Sequence, residues 1–313
     1  MNTEWFDDLI ALSQHLNFSK AAEARNVTQP AFSRRIKSLE DAFGTDLIDR
    51  SSHRLKMTEA GDLVLTAAKE ISSRIRRTHH EVEQAKTAES SLTFASTHAL
   101  SFHFFPNWFK VLPSPAATTP VYLLADNMRA CERMMSEGRA QFLLCHTHPL
   151  AEIFLPDQSY MLAELATDSL LPVSKAKEDG APLFSLEAAV NADVPYLSFD
   201  DQSGMGRILR AALGERIDSL NLKRAFASHL SVVLKALSAE GKGIAWAPYS
   251  LVKDDLDSGV LALAGPSEWT VPVSVALLRP RARQSALAEQ FWALATSKSQ
   301  RVAATAQFHQ QTY

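Results

Sequence analysis

Apolar residues between positions 4 and 57 recur at helical spacing in short bursts. Trp5, Phe6, Leu9, Ile10 and Leu12 form one stripe and predict a first helix. "NFSKAAEAR" follows, and Ser19 is placed to cap a second helix starting at Lys20. After an Asn26-Val27 turn, Thr28 can cap a third helix. Pro30 then sits in its first turn, where a missing N–H costs nothing, and Gly44 is placed to end it. Phe32, Ile36, Leu39 and Phe43 fall at i, i+4, i+7 and i+11, forming one inward face, and the small Ala21 and Ala22 let the preceding helix approach closely. Residues 47–57 alternate around Ser-Ser-His-Arg, which predicts a small β-hairpin. From Thr58 to about Ala88 one long helix is expected. Its narrow stripe of Leu63, Ala67, Ile71, Ile75 and Val82 suits a partner helix better than a globular core.

The pattern changes at Ser91. Strand-like runs ("SLTFAST", "PVYLLAD", "AQFLLCH", "SLLPV", "VPYLSF", "KRAFAS", "GIAWAP", "VPVSVALL") alternate with helical segments at 99–112, 128–137, 204–214, 229–239, 249–257 and 284–296. Such alternation predicts an α/β domain with mostly parallel strands. The tail after Ser297 is polar and aperiodic. The expected divisions are 1–57, 58–88, 91–298 and a disordered 299–313.

Composition adds exclusions. No apolar run approaches the about 18 residues that a membrane span requires. The residues after Met1 are acidic and amphipathic, without the basic and apolar regions of a signal peptide. Two cysteines, Cys131 and Cys145, do not make a disulfide framework. The expectation is a soluble cytoplasmic protein. The net charge of −3 does not announce a nucleic-acid binder, but residues 25–56 carry seven Lys/Arg against four acids.

That local charge falls on a helix-turn-helix. Opposite the inward face of the third helix, Gln29, Ser33 and Lys37 lie at i, i+4 and i+8, flanked by Pro30 and Arg34. Amide, hydroxyl and guanidinium groups on one face are what reading a major groove requires, and the N-terminal residues reach deepest. Lys37 and Arg35 read equally as phosphate contacts or as solvated charges.

The run "NFSKAAEARNVTQPAFSRRIKSLEDAFGTDLIDRSSHRLKMTEAG" resembles the LysR-type transcriptional regulators. Phe18, Ala21-Ala22, Val27, Gln29-Pro30, Ser33-Arg34, Ile36, Leu39-Glu40, Gly44, Leu47, Arg50 and Thr58-Glu59-Ala60-Gly61 carry the resemblance. It implies a winged helix-turn-helix, a dimerising linker helix and a two-lobed effector domain like a type 2 periplasmic binding protein. The lobes would span about 91–161 with 267–298, and 162–266. By this pattern Gln29, Pro30, Ser33 and Arg34 would read DNA, and Arg50, Arg54 and Lys56 would hold phosphates at the wing. The implied partners are an operator duplex, a small-molecule or oxidant effector, and further copies of the chain as a homodimer or homotetramer. Arg25, where many members carry leucine, is similar to a narrower hypochlorite-responsive subgroup, as are "FSRRI", "SGMGRILRAAL" (203–213) and "GKGIAWAPYS" (241–250).

In two-lobed α/β domains ligands bind at the carboxyl ends of strands. The segments there are Thr97-His98-Ala99-Leu100-Ser101, His146-Thr147-His148, Ser203-Gly204-Met205 and Ser228-His229. Of these, Thr97, His98, Ala99, Ser101, His146, Ser203, Gly204, Met205, Ser228 and His229 are the expected effector residues. Ser228 reads equally as a helix cap, and His146 and His148 read more readily as ordinary hinge residues. Met205 is the candidate redox sensor, since oxidation turns its apolar side chain polar; it reads equally as core filling. The alternative effector is a small anionic metabolite with no redox role. His98, Cys145, His146 and His148 lack metal-ligand spacing, and Gly241-Lys242-Gly243 lacks that of a phosphate loop. No metal, cofactor or enzymatic motif is expected.

Overall fold

The computed structural model describes residues 2–50, 55–86, 91–112 and 119–309. The chain divides into two compact units, one built on the residues up to Lys86 and one on those that follow.

The first unit contains α1 (Glu4–His15), α2 (Phe18–Ala24), α3 (Gln29–Phe43), β1 (Ile48–Asp49), β2 (Lys56–Met57) and α4 (Glu59–Lys86). Helix α2 begins two residues before the predicted Lys20. Asn17, in an extended conformation, caps it by accepting the Lys20 N–H at 3.0 Å, so Ser19 falls inside the helix. Thr28 occupies the N-cap position of α3 without a side-chain bond, and Gly44 ends that helix at φ 69°. Phe32, Ile36 and Leu39 are fully buried with Ala21, Leu9 and Leu12. Phe43, expected on the same inward face, is exposed because it lies in the last turn, beyond the core.

Two polar groups lock this unit. Asp8 is buried and takes Arg25 Nε at 2.8 Å and Arg35 Nη1 at 3.4 Å, tying α1 to both helices of the helix-turn-helix. Glu40, also buried, accepts the Leu47 and Ile48 N–H groups and fixes the start of the β1–β2 hairpin on α3. Helix α4 is capped by Thr58, whose Oγ1 accepts the Gly61 N–H at 2.9 Å. A Cβ on Gly61 would lie 2.1 Å from the Leu47 carbonyl oxygen, so only glycine allows α4 this close to the hairpin. Val64 and Ala68 turn inward, while Leu63, Ile71, Ile75 and Val82 of the predicted stripe are exposed.

In the second unit, β3 (Leu92–Thr97), α5 (His98–Phe102), α6 (Phe104–Lys110), β4 (Val121–Asp126), α7 (Met128–Ser136) and β5 (Phe142–Thr147) build one half. After β6 (Tyr160–Lys175), β7 (Val194–Phe199), α8 (Gly204–Asp218), β8 (Leu222–Ser228), α9 (Ser231–Ala239), β9 (Ile244–Pro248), α10 (Tyr249–Asp257) and β10 (Leu261–Leu263) build the other. β11 (Val271–Pro280) and α11 (Ala286–His309) then return to the first half. The strand order is β4-β3-β5-β11-β6-β9-β7-β8, with β10 beside β6. At the centre of one half Phe94 stacks on Phe142 and meets Phe291 edge-on; Trp246, Leu234 and Ile208 fill the other.

Three expectations change. The sheet is mixed rather than mostly parallel: β3–β4, β3–β5, β7–β8 and β7–β9 are parallel, but β6 and β11 cross between the halves antiparallel to each other and to the strands beside them. β6 is far longer than "SLLPV". It pairs with β11 from Tyr160 to Leu170 and continues along β9 to Val173, so the chain passes between the halves inside one strand. Its Ala, Leu and Glu residues favour helix in isolation, and sheet pairing overrides them. Helix α11 continues beyond Ser297 to His309 through an Ala-rich run of high helix propensity, where disorder was expected.

Candidate functional site

Two polar surfaces follow from this scaffold. On α3, Gln29, Pro30, Arg34 and Lys37 are exposed and Ser33 is partly so. The side chains of Gln29 and Ser33 have no hydrogen-bond partner among the described residues, and Arg34 Nε reaches the Pro30 carbonyl of its own helix at 3.3 Å. Arg35, by contrast, is held by Asp8 at 3.4 Å and Glu4 at 3.5 Å and is structural. Lys37 lies near Asp41 at 3.4 Å and Asp46 at 3.7 Å. Lys56 is exposed on β2. Arg50 is turned to Glu40 at 2.9 Å and lies over the Phe18 ring, so its charge is partly neutralised within the protein. Arg54 lies outside the described residues.

The second surface is a cleft at the carboxyl ends of β3, β4, β5, β7 and β8. It holds a cavity of ≈ 20 Å³. Thr97, His98 and Ala99 line it from the β3–α5 junction, His146 from β5, Ser203, Gly204 and Met205 from the start of α8, and His229 from the end of β8. Two expected residues are elsewhere. Ser101 Oγ donates to the His98 carbonyl within its own helix, and Ser228 Oγ accepts the Leu230 N–H, as a turn residue does. Sequence reasoning missed Asp126, Asn127, Met128 and Ser231, which also line the cavity. The strand-to-helix signal that marked the other segments was present at Asp126-Asn127 too.

The chemistry of the cleft is that of small polar groups around a sulfur. Ser203 caps α8 by accepting the Gly206 N–H at 3.2 Å. A Cβ on Gly204 would come within 3.0 Å of Met128 Cβ, so the chain here is closely packed. Met205 is buried, and its Sδ accepts a hydrogen bond from Ser231 Oγ at 3.2 Å. The rings of His98 and His229 face each other at 5.5 Å, and His229 Nδ1 is 3.2 Å from Asp200 Oδ2. Burial, and then His229, hold His98 below the ordinary histidine value, while Asp126 opposes them. Burial pushes the Cys131 thiol up to about 12 and raises the Cys145 thiol further, so neither sulfur is a ready thiolate. Among the described residues no group of three or more His, Cys, Asp or Glu converges as metal ligands would.

Around the cleft the halves are clamped together. Arg207 of α8 donates to both Glu132 oxygens at 2.6 and 3.1 Å and to the Glu152 carbonyl at 2.9 Å, and its guanidinium lies over Phe154. Asn127 donates to Gln202 across the same gap at 3.0 Å.

Residues 4–62 match the bacterial regulatory helix-turn-helix proteins of the lysR family, and residues 85–300 match the LysR substrate binding domain. The chain belongs to the LysR family. It is a DNA-binding transcriptional regulator with an effector-binding domain. It is 30% identical over 294 residues, 93% of both chains, to the HTH-type transcriptional regulator YjiE of Escherichia coli K12. Among solved structures, full-length HypT from Salmonella typhimurium, a hypochlorite-specific LysR-type regulator, is 27% identical. It aligns over 96% of this chain and 99% of its own with a TM-score of 0.59. DarR of Vibrio fischeri, solved in complex with DNA, is 28% identical at a TM-score of 0.56, covering 95% of this chain and 98% of its own. No helix of this LysR-family chain among the described residues is long and apolar enough to cross a membrane.

Proposed function

We propose that this LysR-family regulator senses a small oxidant of the hypochlorite class through Met205. The observation that carries the reading is a hydrogen-bonded thioether beside a cavity of ≈ 20 Å³. That space suits a molecule of a few atoms, about the size of one or two waters. Hypochlorous acid would give its oxygen to the sulfur, which loses two electrons; the chlorine takes them and leaves as chloride with one proton. The new sulfoxide is polar. It forms where Met205 of α8 meets Ser231 of α9, and it alters the contact between those helices.

A small anionic metabolite fits less well. Among the described residues the lining holds no Lys or Arg and includes Asp126, and His98 is disposed toward its neutral form. The likeness to HypT supports the oxidant reading.

For the DNA side, the unpartnered Gln29 and Ser33, with Pro30 and Arg34, support a groove-facing α3, with Lys37, Lys56, Arg50 and Arg54 as phosphate contacts. The exposed stripe of α4 supports a homodimer, on which a tetramer can build. Such a regulator works in the cytoplasm, where the chromosome is.

Peptide mass spectrometry after graded hypochlorite tests the sensor. Met205 is expected to convert to the sulfoxide before Met57 and Met161. Equal or slower oxidation of Met205 ends the proposal.

A further inference from the structure

A second cavity, of ≈ 430 Å³, lies against the strands that join the halves of the effector unit. This volume falls in the range of pockets that enclose small organic molecules, roughly 300–1,000 Å³. Its walls come from α5 and α6 (Leu100, Phe104, Trp108), from β6 and β11 (Leu165, Val275), and from the start of α10 (Leu251). It shares only Ala99 and His146 with the lining of the oxidant cleft.

Polar groups gather at one place in it. The His146 side chain is 3% exposed, and neither ring nitrogen has a hydrogen-bond partner among the described residues. Its Nε2 is 3.9 Å from Asp168 Oδ2, too far for a hydrogen bond. Asp168 itself accepts from Ser250 Oγ at 2.5 Å, from Ser250 N–H at 3.2 Å and from Ser169 N–H at 2.7 Å. Burial raises its carboxyl, but His146, Ser250 and the Ser169 N–H outweigh this and hold it below the usual carboxylate range. Among the described residues no Lys or Arg lines the cavity.

We infer that this cavity is a second small-molecule site, taking an uncharged aromatic compound with one hydroxyl, of the phenol class. A hydroxyl set between His146 and Asp168 would donate to the carboxylate and accept from the imidazole N–H. It would thereby pair one of the two buried ring nitrogens that no described protein group pairs. The ring of the ligand would lie on Trp108, Phe104 and Leu165. A carboxylate ligand would face ionised Asp168 with no cation to offset it. A purely apolar ligand would leave His146 unpaired.

The place of the cavity gives occupancy a consequence. Val275 pairs with Ala166 and Ala276 with Glu164, so Leu165 is the extra residue of a β-bulge between the two crossing strands. Asp168, three residues on, ties β6 to the start of α10. A ligand here bears on the joint between the halves.

The test is ligand-observed NMR titration of the full-length, reduced protein with 4-ethylphenol, ethylbenzene and 4-ethylbenzoate. The phenol should bind more tightly than either analogue by roughly ten-fold or more. Ala166→Phe, which fills the cavity wall, should abolish binding with the far-UV spectrum unchanged. His146→Leu should reduce the phenol to the affinity of ethylbenzene. Should Ala166→Phe misfold, Asn107→Trp at the exposed mouth serves the same purpose. Equal affinity for all three probes, or binding that survives a folded cavity-filling variant, overturns the site. The measurement uses no oxidant and no DNA, and repeating it in Met205→Leu separates its outcome from that of the oxidant reading.

Discussion

On α3 the residues that hold the fold and those proposed to act are different residues. Phe32, Ile36 and Leu39 are buried, whereas Gln29, Pro30 and Arg34 stand in solvent. In the effector cleft the two sets merge: His146, Ser203 and Met205 line the cavity and are themselves buried. A surface that reads a rigid duplex can display its groups on a finished core. A cleft that detects a molecule of a few atoms must enclose it, so its sensing groups also pack. Substitutions should therefore separate function from stability on α3 and entangle them in the cleft.

The clamp at the cleft should give the largest effect. Arg207→Met would leave the buried Glu132 carboxylate with no cation and only the Phe154 N–H at 2.8 Å, and a loss of about 3 kcal/mol is expected in urea unfolding of the effector unit. A loss under 1 kcal/mol would show that the halves are not held by this pair. Next, Arg34→Ala should weaken operator binding by about 1–3 kcal/mol in a gel-shift titration. Its unfolding free energy should stay within about 0.5 kcal/mol of the parent. Its neighbour should behave oppositely: Arg35→Ala releases one of the two arginines on Asp8 and should cost about 1 kcal/mol of stability, with a smaller change in DNA affinity than Arg34→Ala. If the two arginines prove interchangeable, the separation drawn on α3 fails.

The smallest effect concerns pH. His98 in the folded cleft lies below the ordinary histidine value, so the unfolded chain takes up the proton first. Stability from this group is full above about pH 6.5 and declines as pH falls from there toward the folded value. The melting temperature should accordingly drop below pH 6.5, and His98→Gln should flatten that part of the profile. An unchanged profile would mean that His98 titrates alike in both states.

Much of this was legible in the chain. Thr28, Pro30 and Gly44 bound α3 because caps and fixed dihedrals act locally, and eight of ten expected effector residues meet at one cavity because strand-to-helix junctions mark the carboxyl ends of strands. What was hidden depends on partners distant in sequence. Arg50 reads as a free charge until Glu40 is seen to reach it. The first part of β6 reads as helix until β11 lies beside it, and β10 is only three residues long. Nothing local announces that His146 and Asp168 stand together over a second cavity, since one comes from β5 and the other from β6.

Gly61 has a mechanical consequence. With no side chain there, α4 seats directly on the carbonyl of Leu47, and Glu40 fastens the same segment to α3. The 28-residue α4, about 42 Å long, is thus a shaft whose first turn is fixed, through the Leu47 segment, to the end of α3.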